Sequence, residues 1–266
     1  MASVKLGIIT GSGTYRLPGL SQVETRRAQT RDGAVELSSG QLAGVEILHV
    51  SRHGDGHERL SSQVNHRANV LALRDAGAQA VLGVTVCGAV DPSIELGTLL
   101  VFDDLHFLAN RLPDGSICSL YDEPGMPGRG HWIFEAPFSE PLRDALVGAA
   151  ADAGHAVRDG GCYGHVDGPR FNSRAEIRSL ASCGVSAVSQ TAGPETVLCG
   201  EAELPYALLG YATDYANGVA EAATPVSELT RLIEASTGAF ADTLAAAVAG
   251  LAGTTPAPVG THIRWS

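Results

Sequence analysis

Five short segments carry polar or charged side chains where apolar runs break off, the arrangement that brings reactive groups to the edge of a sheet. The run Val4 to Ile9 ends in Thr10-Gly11-Ser12-Gly13-Thr14. Successive backbone N–H groups and the Ser12 hydroxyl in such a loop can form an anion nest, and the same residues can equally make a plain turn. The later glycine and helix of a dinucleotide fingerprint are missing, since Tyr15 and Pro18 follow. Arg52-His53-Gly54 stands directly behind Val50 and Ser51, so a guanidinium fork and an imidazole donor suit a phosphate dianion there, with an exposed surface pair as the competing reading. Thr85-Val86-Cys87-Gly88 ends another run with a hydroxyl in position to donate. Gly168-Pro169-Arg170-Phe171-Asn172-Ser173 sets a turn before a helix capped by Asn172 or Ser173 with Glu176 at its third or fourth position. Phe171, just before that helix, is either a stacking face for a nucleobase or a core side chain. Thr213-Asp214-Tyr215 closes the run Leu208 to Ala212. A carboxyl in so apolar a setting should be pushed up by desolvation and suits proton donation, unless Asp214 is simply a helix N-cap.

These segments need a scaffold. Strands are expected over 4–9, 45–50, 80–86, 98–102, 186–188 and 206–211, each an apolar run bounded by turn signals. Helical spacing appears over 64–76, 142–153, 173–182 and 226–251, the last opened by Pro225 with Ser227 and Glu228. Strands alternating with helices predict an α/β fold, a single domain over residues 1–252 with a central mixed sheet flanked by helices. Residues 253–266 are expected as a frayed or surface-draped tail. Residues 109–139, rich in Pro and Gly and without a period, are expected as a long functional loop. That loop carries His131, Trp132, Ile133 and Phe134, a cluster expected to be buried across a subunit interface or within the chain's own core.

Composition limits the partners. The 266 residues hold 18 Lys and Arg against 29 Asp and Glu, a net charge of −11, which argues against nucleic acid and anionic membranes as partners. No apolar run reaches the length of a membrane span and no secretory leader is evident, so an intracellular, cytoplasmic location is expected. Five scattered cysteines without a CxxC pair predict buried free thiols and neither disulfides nor a metal site. The 32 glycines point to tight turns and close backbone approach to a ligand.

In this chain order the segments resemble the trimeric purine nucleoside phosphorylases, specifically their 5′-methylthioadenosine phosphorylase branch. The counterparts of that family's motifs are Thr10-Gly11-Ser12-Gly13, Arg52-His53-Gly54 with His57, Asn65-His66-Arg67-Ala68-Asn69 for NYxAN, Thr85-Val86-Cys87-Gly88, Asp167-Gly168-Pro169-Arg170-Phe171, Ser189-Gln190-Thr191-Ala192-Gly193-Pro194-Glu195 and Ala212-Thr213-Asp214-Tyr215. The resemblance spans residues 5 to about 220. It implies phosphorolysis of a 5′-modified 5′-deoxynucleoside, by default 5′-methylthioadenosine, with inorganic phosphate as co-substrate and no metal or cofactor. It also implies that Ser12, Arg52, His53, Thr85, the Val86 N–H and Thr191 hold phosphate, that Phe171 stacks on the base beside Asn172, that Gln190 lies against the ribose, and that Asp214 donates to N7. By the same resemblance His131 reaches the 5′ pocket of a neighbouring subunit in a homotrimer. Gln190 replaces the family's methionine and Ala216 its second aspartate, so a 6-oxopurine nucleoside such as methylthioinosine, or another 5′-substituted nucleoside, is the near alternative. A nucleoside-binding paralogue without activity is the alternative of a different class.

Overall fold

The structure, a computed structural model, describes residues 4–265. The chain begins with β1 (Lys5–Thr10), followed by a hairpin of β2 (Ser21–Thr30) and β3 (Gly33–Leu42) and by β4 (Val45–Ser51). Helix α1 (His66–Asp75) leads into β5 (Ala80–Ala89), β6 (Leu99–Val101) and β7 (Asp104–His106). After the long loop come β8 (Gly130–Ile133), α2 (Glu140–Asp152), β9 (Val157–Asp159) and β10 (Cys162–His165). The rest is α3 (Arg174–Ser182), β11 (Val185–Ser189), α4 (Ala192–Glu201), β12 (Tyr206–Tyr215), α5 (Val226–Gly250) and β13 (Thr261–Arg264).

Eleven strands form one mixed sheet in the order β2-β3-β4-β1-β5-β11-β10-β7, with β12 running parallel beside β5 and carrying β6 and then β9. Strand β5 is therefore the hinge of the architecture, since β1, β12 and β11 all pair with it. It is buried over nearly its whole length, which explains its continuous apolar sequence. One face of the sheet packs Leu71, Leu73, Phe102, Tyr163 and Tyr206 into a core with α1 and α4. The other packs Ile8, Leu82, Leu209, Leu146 and Phe240 against α2 and α5. Helix α5 is long and apolar enough to cross a membrane by length and composition, but it buries Leu232, Ala239, Phe240, Leu244 and Val248 as a core helix of this layer.

The residues expected as the long loop contain one strand, β8, which pairs antiparallel with β13 in the tail. Trp132 Nε1 donates to the Val259 carbonyl at 2.8 Å and the Trp132 ring packs over Gly200. The tail thus finds backbone partners that its composition does not reveal, and it is draped over the surface as an ordered ribbon. Cys87, Cys118 and Cys199 are buried free thiols, whereas Cys183, expected to be buried, is exposed where α3 ends. No group of three or more His, Cys, Asp or Glu side chains among the described residues is placed to hold a metal ion.

Candidate active site

The carboxyl ends of β1, β4, β5, β11 and β12 open into one cleft of about 290 Å³. Ser12, Arg52, His53, Thr85, Val86, Phe171, Asn172, Gln190, Thr191 and Asp214 all line it. These ten residues come from six separate segments, so the cleft exists only in the folded chain. His131 does not line it; the ring is exposed on β8 and meets Trp265 edge-on at 5.1 Å.

At one end of the cleft lies a group of donors. Arg52 is 1% exposed, which rules out the surface-pair reading. Its fork does not point freely at the cleft. Nε and Nη2 donate to the two Glu195 oxygens at 2.6 and 2.7 Å, and Nη1 donates to the Val84 carbonyl at 2.7 Å. A Cβ at Gly11 would collide with Nη1, so only glycine lets the first loop close over the guanidinium. Desolvation alone would lower the Arg52 pKa, but the Glu195 charge and hydrogen bonds outweigh it and raise it. His53 Nδ1 lies 2.8 Å from the Arg59 carbonyl, which can only accept, so Nδ1 carries the proton and Nε2 is left as an acceptor. Burial, with Arg52 adding to it, pushes the His53 ring down to about 4, so it is neutral at ordinary pH. The His57 ring stacks on it at 4.2 Å, and its Nδ1 lies 3.2 Å from the Tyr15 hydroxyl. Thr191 occupies the N-cap position of α4, which aims that helix's positive end at the same place.

At the other end lies Asp214, 9% exposed. The β12–β5 ladder shifts register here: Ala212 pairs with Cys87 and Asp214 with Gly88, leaving Thr213 as an extra residue. Thr213 Oγ1 sits 3.0 Å from Asp214 Oδ1 and 3.3 Å from the Cys87 carbonyl. Gly88 leaves room for the carboxyl, whose Oδ2 would lie 3.2 Å from any Cβ there. Burial raises the Asp214 pKa, against a smaller opposing effect of the Thr213 hydroxyl. No helix starts at Asp214, so the capping alternative is excluded. Phe171 is 62% exposed over the cleft and is not a core side chain. The helix behind it is capped by Ser173, with Glu176 closing the box at 2.7 Å from the Ser173 N–H.

The cleft thus combines hydroxyl and guanidinium donors with a largely buried carboxyl, its pKa raised, and an aromatic face. Residues 5–251 match the model of the phosphorylase superfamily. The chain belongs to that superfamily. A probable S-methyl-5′-thioinosine phosphorylase of Pseudomonas syringae pv. tomato is 35% identical to this phosphorylase, covering 90% of the chain and 96% of its own length. A probable 6-oxopurine nucleoside phosphorylase of Thermococcus kodakarensis is 33% identical, with 81% and 80% covered. Among solved structures, the methylthioadenosine phosphorylase of Schistosoma mansoni in complex with adenine superposes with a TM-score of 0.85 at 28% identity, covering 93% of this chain and 91% of that one. The protein is accordingly a nucleoside phosphorylase, a pentosyltransferase.

Some residues of the phosphorylase cleft escaped sequence reasoning. Glu195 was legible only as part of a motif, with no role attached. Leu229 and Ile233 project into the cleft from the first turns of α5, where their spacing of four residues marks one helical face. Gln190 lines the cleft as expected, but its amide is engaged at both ends: Oε1 accepts from Ser61 Oγ at 2.8 Å and Nε2 donates to the Arg170 carbonyl at 3.1 Å. It straps the segment bearing Phe171 to residues 61–63.

Proposed function

We propose that this phosphorylase cleaves a 5′-modified 5′-deoxypurine nucleoside, with 5′-methylthioadenosine as the default, giving free base and the 5-modified ribose 1-phosphate. A phosphate oxygen forms the new bond to C1′ as the C1′–N9 bond breaks through an oxocarbenium-like state. The electron pair of that bond goes to the base, and the Asp214 proton goes to N7. The reading needs no metal and no cofactor beyond phosphate as co-substrate.

The observation that carries it is the Asp214 carboxyl, its pKa raised by burial, lining the same cleft as Ser12, Arg52, Thr85 and Thr191. In this scheme Ser12, Thr85, the Val86 N–H, Thr191 and the remaining Nη protons of Arg52 hold phosphate. Because the Arg52 charge is already balanced by Glu195, recognition falls to oriented dipoles more than to net charge. His53 Nε2 accepts the P–OH hydrogen that the phosphate dianion retains. Phe171 stacks on the base. Leu229 and Ile233 favour an apolar 5′ substituent over a hydroxyl, because neither offers a hydrogen-bond partner. A 6-oxopurine such as methylthioinosine is the second reading, favoured by the methyl of Ala216 where the family's second aspartate would stand.

The reading includes a cytoplasmic homotrimer in which the β8–β13 ribbon, with His131, completes the 5′ pocket of the adjacent subunit. Ile133, Phe134, Ile263 and Trp265 are each 41–51% exposed on that ribbon, an apolar face that a neighbouring copy would cover. A nucleoside panel assayed with and without phosphate tests the chemistry: base released together with sugar 1-phosphate supports it, and base released without phosphate means hydrolysis. Sedimentation over a dilution series tests the assembly, and a fully active monomer refutes it.

A further inference from the structure

We propose that Asn217 reads the exocyclic group at position 6 of the base, its Oδ1 accepting a hydrogen bond from a 6-amino group. This assignment rests on the nucleoside reading above and names the base class within it.

Asn217 lines the cleft just beyond Asp214 and the small side chain of Ala216. Its orientation is fixed by chemistry. Nδ2 donates to the Asn172 carbonyl at 2.7 Å, and because a carbonyl can only accept, the amide cannot be turned round. Oδ1 is left facing away from that bond, with no donor among the described residues. The backbone holds it there: the Val219 N–H bonds to the Ala216 carbonyl at 3.0 Å, and Gly218, at φ +88°, completes the turn that carries Asn217 at its tip.

The neighbouring groups leave this role open. Ala216 is buried among Val90, Ile177 and Val185 and offers only a methyl. Asp214 Oδ1 already accepts the Thr213 hydroxyl, and the carboxyl proton is assigned to N7. On a purine, position 6 is the next group along the edge from N7, so the residue just beyond Asp214 and Ala216 meets it. A 6-amino group donates and a 6-oxo group accepts; an unengaged amide oxygen therefore complements the amino form and repels the oxo form.

The test compares Asn217→Ala and Asn217→Asp with the wild type on 5′-methylthioadenosine and 5′-methylthioinosine. The readout is the ratio of the two kcat/KM values, because loosening Phe171 through the lost Asn172 bond affects both substrates alike. Asn217→Ala should lower the amino-to-oxo ratio by about 5- to 10-fold, the value of one hydrogen bond, while Asn217→Asp, which keeps an acceptor, should preserve or raise it. An unchanged or increased ratio in Asn217→Ala overturns the assignment. Equilibrium binding of adenine and hypoxanthine to wild type and Asn217→Ala gives the same comparison without turnover. If adenine selectivity depends on Asn217 in a protein that releases no base, the reaction reading fails and this one stands.

Discussion

Replacing Glu195 by Ala tests whether the Arg52 guanidinium is held by its counter-charge. Both side chains are at most 1% exposed, joined by two hydrogen bonds of 2.6 and 2.7 Å, and Tyr206 donates to the same carboxylate at 3.1 Å. Removing the carboxylate leaves a buried cation without a partner, which costs about 3–5 kcal/mol, and frees the Tyr206 hydroxyl as well. For a chain of this size each kcal/mol moves the midpoint by about 2–4 °C, so Tm should fall by about 6–20 °C. Calorimetry at neutral pH measures it, beside the double variant Arg52→Met/Glu195→Leu. With no charge left to bury, the double variant should unfold at a higher temperature than Glu195→Ala alone. Phosphate should raise the Tm of Glu195→Ala more than that of the wild type, because the anion then supplies the missing counter-charge. A loss below about 1 kcal/mol, or a double variant weaker than the single one, would refute the argument.

Asp214→Asn should lower kcat by about 100-fold or more while nucleoside binding measured at equilibrium is retained; unchanged turnover removes Asp214 from the mechanism. The same variant probes linkage: the folded pKa of Asp214 is raised, so its contribution to stability is fully present below about pH 4 and is lost as pH rises through the folded value. Asn217 aside, Asp214→Asn should therefore melt above the wild type at pH 7 and lose that advantage at pH 4. The buried rings of His49 and His53 are held down to about 4 and those of His66 and His165 to about 3, chiefly by desolvation. Their neutral forms stabilise the fold above pH 6.5, so urea midpoints should drop steeply from pH 6.5 towards 4, and a flat profile would count against burial of these rings. Leu229→Ala should cut the preference for a methylthio over a hydroxyl group at the 5′ position by about 10-fold, read as a ratio of kcat/KM values.

Most of the scaffold was written in apolar runs. Strands β1, β4, β5, β11 and β12 and helices α1, α2, α3 and α5 lie where those runs and periods put them. The hairpin β2–β3 was not legible, because β2 is exposed along nearly all of its length and carries Glu24, Arg26 and Arg27, so neither a run nor an alternation marks it. Helix α4 was hidden for the opposite reason. Eight of its ten residues are buried, it has no polar stripe, and Gly193 and Pro194 in its first turn read as a breaker. Ten of the residues singled out from sequence line one cleft, His131 does not, and Leu229, Ile233 and the pairing inside the cleft were not legible. A glutamate reads as surface until Arg52 is found against it, and 143 residues separate the two. Gln190 and Asn217 were equally opaque, since a carboxamide's role depends on which of its ends is already engaged.

The register shift at Thr213 means that the acid's position depends on a count of residues as well as on their identity. Opposed residues share a face of the sheet, so pairing with Gly88 puts Asp214 on the opposite face from Ala212 and Cys87. Were Thr213 drawn into the ladder opposite Gly88, Asp214 would fall opposite Ala89, on the side packed by α1 and α4. No side chain would have changed, yet the cleft would have lost its proton donor. Paired insertions and deletions along β12 and β5 can therefore silence this enzyme in a descendant that keeps every residue of the cleft, and residue identity at these positions is not by itself a record of activity.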